Sequence, residues 1–156
     1  MLFLATCPPG REGDAALELE WALNAKVRRM RWRGVLMGET SLPREEAIER
    51  IKGFETFALQ SFIPIDKFVS FDELEDRIRE IKLPPGKSFA VRVKVRGAKI
   101  GEKFLERRLG GIIKAANGNP VNLERPDIIV MINVLEKRVG ISVLRPEEII
   151  RKEARD

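Results

Sequence analysis

Between Ser88 and Gly97 the chain alternates in period two: Val91, Val93 and Val95 share one parity, Arg92, Lys94 and Arg96 the other. This pattern predicts a β-strand with one buried face. After Gly97, Lys99 and a turn at Gly101 the period becomes helical. A helix is expected over Glu102–Asn117, with Phe104, Leu105, Leu109, Ile112, Ile113 and Ala116 as its apolar stripe. Lys103, Arg107 and Lys114 flank that stripe. From Lys87 to Lys114 nine basic residues stand against two acids, Glu102 and Glu106, a local balance of +7 that exceeds the +5 of the whole chain. A positive strand next to a positive helix suits a polyanion.

The 156 residues contain one cysteine and no histidine. Ser-His and Cys-His nucleophile pairs are thereby excluded, as are disulfide frameworks, cysteine-rich zinc sites and imidazole metal ligands. Met1–Thr6 lacks a basic leader and soon meets Cys7-Pro-Pro-Gly10, so it is expected to be a first strand and turn. No apolar run approaches the length of a membrane span. The expectation is a soluble, cytoplasmic protein that binds neither membrane nor cofactor.

In chain order, the patterns predict a strand at Leu2–Thr6 and a helix near Arg11–Asn24 with Ala15, Ala16, Leu19, Ala22 and Leu23 inward. Next come a strand over Lys26–Arg33, a turn at Gly34, a strand over Val35–Leu42, a helix from Pro43 to about Lys52 and a strand over Phe57–Ile63. That order, βαββαβ, is a ferredoxin-like domain over residues 1–66. Beyond a joint at Pro64-Ile-Asp66, Ser70 and Glu73 form a capping box ahead of a helix carrying Phe71, Leu74, Ile78 and Ile81. The basic strand and its helix come after it. Asp127–Glu136 reads as a central strand, Val139–Leu144 as its return, and Pro146-Glu-Glu as the start of a brief final helix. The fold class is α+β, with a second α/β domain over residues 67–156.

Charge divides at that boundary. Residues 1–66 carry 9 basic and 10 acidic residues, and residues 67–156 carry 20 and 14. The second half is the expected polyanion binder, through Arg92, Lys94, Arg96, Lys99, Lys103, Arg107 and Arg108, unless Arg108, near the apolar stripe, is a structural arginine. Asn122 either contacts RNA or caps its own turn. A second basic strand offers Arg29, Arg31 and Arg33 to phosphates, while Trp32, alternating with Met30, is expected to pack in the core rather than stack on a base. Asp127 is expected to satisfy backbone N–H groups where the central strand begins. Cys7 reads as a buried small residue. Gly110-Gly111, costly inside a helix, is expected to permit close packing on the sheet.

Pro-Gly-Lys-Ser-Phe-Ala-Val-Arg-Val-Lys-Val-Arg-Gly at 85–97, a helix, and Gly-Asn-Pro-Val-Asn-Leu-Glu-Arg-Pro-Asp at 118–127 with its valine- and isoleucine-rich strand pair resemble a THUMP domain over about residues 67–145. With a ferredoxin-like domain in front, beginning Thr6…Pro9-Gly10…Glu12…Ala15…Glu18-Leu19, the layout is similar to the family of adaptors that present tRNA to the tRNA cytidine acetyltransferase. The resemblance implies binding of tRNA at its acceptor stem and 3′ end, with a separate modifying enzyme as second partner. That enzyme would bring acetyl-CoA and ATP. No G-x-G-x-x-G after a strand, no Walker-type loop and no Ser-Gly-Gly loop is present, which favours a non-catalytic adaptor over an enzyme. A small RNA-directed enzyme, a protein–protein module with a basic face and an adaptor for another RNA-modifying enzyme are the alternatives. Duplex DNA is disfavoured, because no recognition helix stands out.

Overall fold

The computed structural model describes residues 1–155, which divide into two compact units. The first comprises residues up to Ile65 together with those from Glu147 onward, and the second runs from Asp66 to Pro146. Among the described residues no helix is long and apolar enough to cross a membrane.

The first unit holds β1 (Leu2–Thr6), α1 (Glu12–Leu23), β2 (Lys26–Arg29), β3 (Val35–Glu39), α2 (Arg44–Gly53) and β4 (Ser61–Ile65). Its sheet has the order β2-β3-β1-β4, every pair antiparallel, and a fifth strand, labelled β9 (Ile150–Arg151), extends it beyond β4. That last strand corrects the expected terminal helix. Pro146–Glu148 makes only one 3-10 turn, and the chain then pairs Ile150 with Phe62. The boundary shifts accordingly. Pro64 is not a joint but a strand residue opposite Phe3, and residues 147–155 pack with the first unit rather than the second.

The core of this unit gathers Ala15, Leu19, Leu23, Ile48 and Ile51 from the helices over Phe3, Leu36 and Phe62 of the sheet. The Phe3 and Phe62 rings lie 4.9 Å apart. Within α1, Glu18 rather than Ala16 takes the inward position. Its carboxylate accepts the backbone N–H groups of Phe57 (2.6 Å), Leu59 (2.9 Å) and Ala58 (3.2 Å), which fold the Phe54–Gln60 loop and delay β4 to Ser61. A buried carboxylate with three N–H donors is a satisfied one.

The second basic strand is shorter than expected. Pairing stops at Arg29, and Arg31, Trp32 and Arg33 lie in the turn that Gly34 closes. Trp32 is half-buried, outside the core cluster, with the Arg31 guanidinium 5.7 Å from its ring. Gly34 has φ +74°, and a Cβ there would collide with the carbonyl oxygen of Cys7. Its N–H and that of Gly10 both donate to Glu12, at 2.8 Å each. These bonds, Gly34's above all, hold the Glu12 carboxyl below its ordinary range. Cys7 is buried beside them, and burial pushes its thiol up to about 11, so it stays protonated at neutral pH.

The second unit holds β5 (Lys67–Ser70), α3 (Leu74–Arg79), β6 (Phe89–Arg96), α4 (Glu102–Asn117), β7 (Ile128–Leu135) and β8 (Arg138–Leu144). The sheet order is β5-β8-β7-β6, antiparallel except for β6 and β7, which run parallel. The short strand β5 has no counterpart in the expected order of elements. Ser70 does cap the next turn, accepting the N–H of Asp72, but that turn, Phe71–Glu73, is 3-10 rather than α-helical. Leu74, Ile78, Leu105, Leu109 and Ile113 cover Phe89, Val91, Val93, Val130 and Ile132. Gly118, at φ +76°, ends α4 in the left-handed conformation glycine tolerates.

Gly38→Ala would drive a Cβ into the Phe3 ring and to 2.8 Å from the Lys26 carbonyl oxygen. A loss of about 1–3 kcal/mol in denaturant unfolding is expected. Glu12→Gln should lower stability at neutral pH and matter less in acid. A carboxyl whose folded pKa is depressed stabilises above the ordinary carboxylate range and loses that contribution as pH falls through the folded pKa. Urea midpoints of the two proteins at pH 7 and pH 3 check this, with a smaller difference expected at the lower pH.

Candidate nucleic-acid interface

Strand β6 is an edge strand with an open side. Phe89 donates its N–H to the carbonyl of Pro120 and accepts that of Asn122, and Val95 donates to the carboxylate of Glu102 at 2.8 Å. Backbone groups of alternate residues point to the same edge of a strand. Val91 and Val93 therefore turn theirs outward too, and no strand pairs with them there among the described residues.

That edge, α4 and the loop after it enclose a groove of about 770 Å³. Arg92, Lys103, Arg107 and Lys114 are its cations, Glu102 and Glu106 its acids, and Val121 and Leu123 its apolar end. Both acids are engaged: Glu102 by the Val95 N–H, and Glu106 by Lys103 at 3.6 Å. Among the described residues no carboxylate lies within ion-pair distance of Arg92, Arg107 or Lys114. Leu123 is 72% exposed and Val121 45% exposed.

The groove floor includes Gly110 and Gly111. An added Cβ at Gly110 would meet only Val91, at an ordinary 3.8 Å, and one at Gly111 would meet nothing within 4 Å. The expected reason for these glycines, tight packing on the sheet, is therefore corrected. Their effect is to leave the helix backbone bare toward the groove.

The remaining predicted residues are distributed unevenly. Arg92 and Arg96 are half-buried and only Lys94 is well exposed, because their side of the sheet is not a wet face. Met131, Asn133, Leu135 and Ser142, on the same side in register, are buried. Burial lowers the pKa of Arg96, which the nearby Glu102 opposes, and one of its terminal nitrogens is buried without a hydrogen-bond partner among the described residues. Lys99 stands apart, on the turn beside Phe71 and Lys137. Arg108 turns to α3, where Nε and Nη2 grip the carboxylate of Glu75, so its structural role is the one observed. The hydrogen bond from Arg108 lowers the pKa of Glu75, and the bond raises that of Arg108. Phe104 is 56% exposed beside this pair, and Ala116 is also exposed, so neither belongs to the buried stripe. Arg29, Arg31 and Arg33 belong to the first unit.

Asn122 uses its side-chain oxygen within its own loop, accepting the N–H groups of Arg125 (3.0 Å) and Glu124 (3.2 Å). Asp127 and Ser88 bond reciprocally. Asp127 accepts the Ser88 N–H (2.9 Å) and hydroxyl (3.2 Å), and the Ser88 oxygen accepts the Asp127 N–H (3.0 Å). The Ser88 N–H is the main cause of the lowered Asp127 pKa. Asn119, 4% exposed, donates to the carbonyls of Pro84 and Lys87 at 2.8 Å each. This loop is thus tied down from both ends, which fixes where Val121 and Leu123 are held. The sequence marks Lys114 only as a flank of the helix and does not single out Leu123. The signal available for Leu123 is an apolar residue inside a polar Asn-x-Glu turn.

Known proteins share this architecture. PH1313 from Pyrococcus horikoshii Ot3 superposes with a TM-score of 0.70 at 13% identity, over 98% of this chain and 56% of that one. TrmN from Thermus thermophilus gives 0.72 at 21% identity, over 94% and 47%. A 4-thiouridine synthetase, solved with RNA and bound ATP, gives 0.62 at 18% identity, over 92% and 41%. The chain thus spans about half the length of these proteins, and at such identities the likeness is one of fold. No curated protein matches it in sequence. The THUMP domain family matches residues 69–144, nearly all of the second unit. Over residues 69–144 the chain is similar to the THUMP domain family.

Proposed function

We propose that this chain binds tRNA, at the acceptor stem and 3′ end, and presents it to a separate modifying enzyme, the tRNA cytidine acetyltransferase, without carrying out chemistry itself. The observation that carries this is the groove along β6, where Arg92, Arg107 and Lys114 have no carboxylate partner among the described residues. THUMP domains are linked to RNA binding and tRNA modification. Arginine and lysine supply charge-assisted bonds to phosphates, and arginine's planar fork takes them in pairs. Duplex RNA hides its base edges, so phosphates and 2′-hydroxyls are what a rigid basic surface reads. The groove adds what a single-stranded end requires: bare backbone at Gly110-Gly111, outward N–H and C=O groups at Val91 and Val93, and Val121 and Leu123 for a base to rest on. The first unit, a ferredoxin-like module lengthened by β9 on this reading, sets the distance from that end to the nucleotide being modified.

A non-catalytic role is supported by the state of the reactive groups. There is no histidine, the Cys7 thiol is buried and protonated, and Asp127 is occupied by Ser88.

Fluorescence-anisotropy titration of labelled tRNA, intact and lacking its 3′ single strand, tests the reading. For about six phosphate contacts, log K should fall with log salt at a slope of roughly −4 to −5. Arg92→Ala, Arg107→Ala and Lys114→Ala should each weaken binding about tenfold, or about 1.4 kcal/mol. Equal affinity for both tRNA forms and for duplex DNA would leave only a generic cation surface. Gly111→Ala separates stability from binding. It should stabilise the fold by about 1 kcal/mol, since the methyl meets nothing, while weakening tRNA binding.

A further inference from the structure

The exposed surface of the first unit carries a feature that RNA binding does not use. On α1, Trp21 is 71% exposed and Leu17, one turn earlier, 45% exposed. Their spacing puts them on the face opposite Ala15, Leu19 and Ala22, where a helix usually shows polar side chains. Trp21 walls a shallow cleft between α1 and α2 whose other side is Glu46, Glu49 and Arg50, with Gly53 and Phe54 at its end. Gly53 has nothing within 4 Å of where a Cβ would lie, so the cleft is open there.

The charge around these apolar residues opposes that of the second unit. Asp14, Glu20, Glu46 and Glu49 are exposed, Asp14 lying 3.9 Å from Arg11, and Arg50, the one cation lining the cleft among the described residues, is paired to Glu46 at 2.9 Å. Phosphates are repelled by such a rim, which removes RNA as its occupant. Tryptophan is the residue most enriched where binding energy concentrates in protein interfaces, and an apolar centre ringed by acids complements an apolar stripe flanked by lysine and arginine.

We infer that the α1–α2 face, centred on Trp21, is the surface on which the modifying enzyme docks, through a basic amphipathic segment of that enzyme. This rests on the reading that a separate enzyme acts on the presented tRNA. One chain then holds two partners of opposite charge on two surfaces of opposite charge.

The test is sedimentation velocity with the purified chain and the tRNA cytidine acetyltransferase of the same cell, alongside the tRNA titration. Trp21→Ala and Glu49→Lys should each weaken the protein complex at least tenfold while leaving tRNA affinity within twofold, and circular dichroism should show both variants folded. Raising salt should weaken the wild-type complex. If wild type binds the enzyme and both variants bind it equally well, the docking surface is overturned and the adaptor reading stands. If wild type binds tRNA but not the enzyme, the adaptor reading itself falls, and the docking surface with it. A wild-type dimer that Trp21→Ala dissolves would show that a second copy covers the face, and would overturn the proposal as well.

Discussion

The parallel pairing of β6 with β7 is the constraint on which the second unit depends. Neighbouring antiparallel strands can be joined by two residues, as β7 and β8 are through Glu136-Lys137, but parallel neighbours need the chain to travel back first. That return is α4 and the Gly118–Asp127 loop. Because α4 must run beside the strand it succeeds, and because β6 closes the sheet at its edge, a helix and a bare strand edge are left facing each other. The groove is the residue of that connection. Asp127 and Ser88 latch the start of both strands, so the register that places Arg92 and Val93 in the groove is held where the crossover ends.

Much of this was legible. The change from period two to helical period marks β6 and α4, and the continuous apolar run over Ile128–Leu135 marks β7 as a strand buried on both sides. The features that pattern misses have physical causes. Alternating charge implies a wet face, yet Met131, Leu135 and Ser142 on that face are buried, and Arg92 and Arg96 beside them are half-buried. Glu18 sits at helical spacing from Ala15 and Ala22, so period alone locates it. Residue type argues against burial, and only the three N–H groups of the Ala58 loop explain it. Strand β9 is not readable, since two residues carry no period and depend on an edge that β4 provides. Arg108 belongs to a basic run of sequence, but only the placement of α3 decides that Glu75 takes it.

The same charge that reads as a surplus in the composition is used in two different ways. Arg50, Arg79 and Arg108 are paired within the chain, whereas Arg92, Arg107 and Lys114 have no carboxylate partner among the described residues. Net charge therefore understates the contrast between surfaces. It is the unpaired cations, positioned by α4 and β6, that set the local potential over the groove.

The open edge of β6 also bears on self-association. A strand whose outward N–H and C=O groups have no partner is a template for another strand, that of a second copy of this chain included. Lys94 on the strand, the cations of α4 and the Glu102 carboxylate over Val95 guard that edge by repulsion and by occupation. The same edge is thus open to hydrogen bonding and guarded by charge. A variant stripped of these charges would pair edge to edge with its own copies more readily, and high salt, which screens the repulsion, would bring the unaltered chain nearest to that limit.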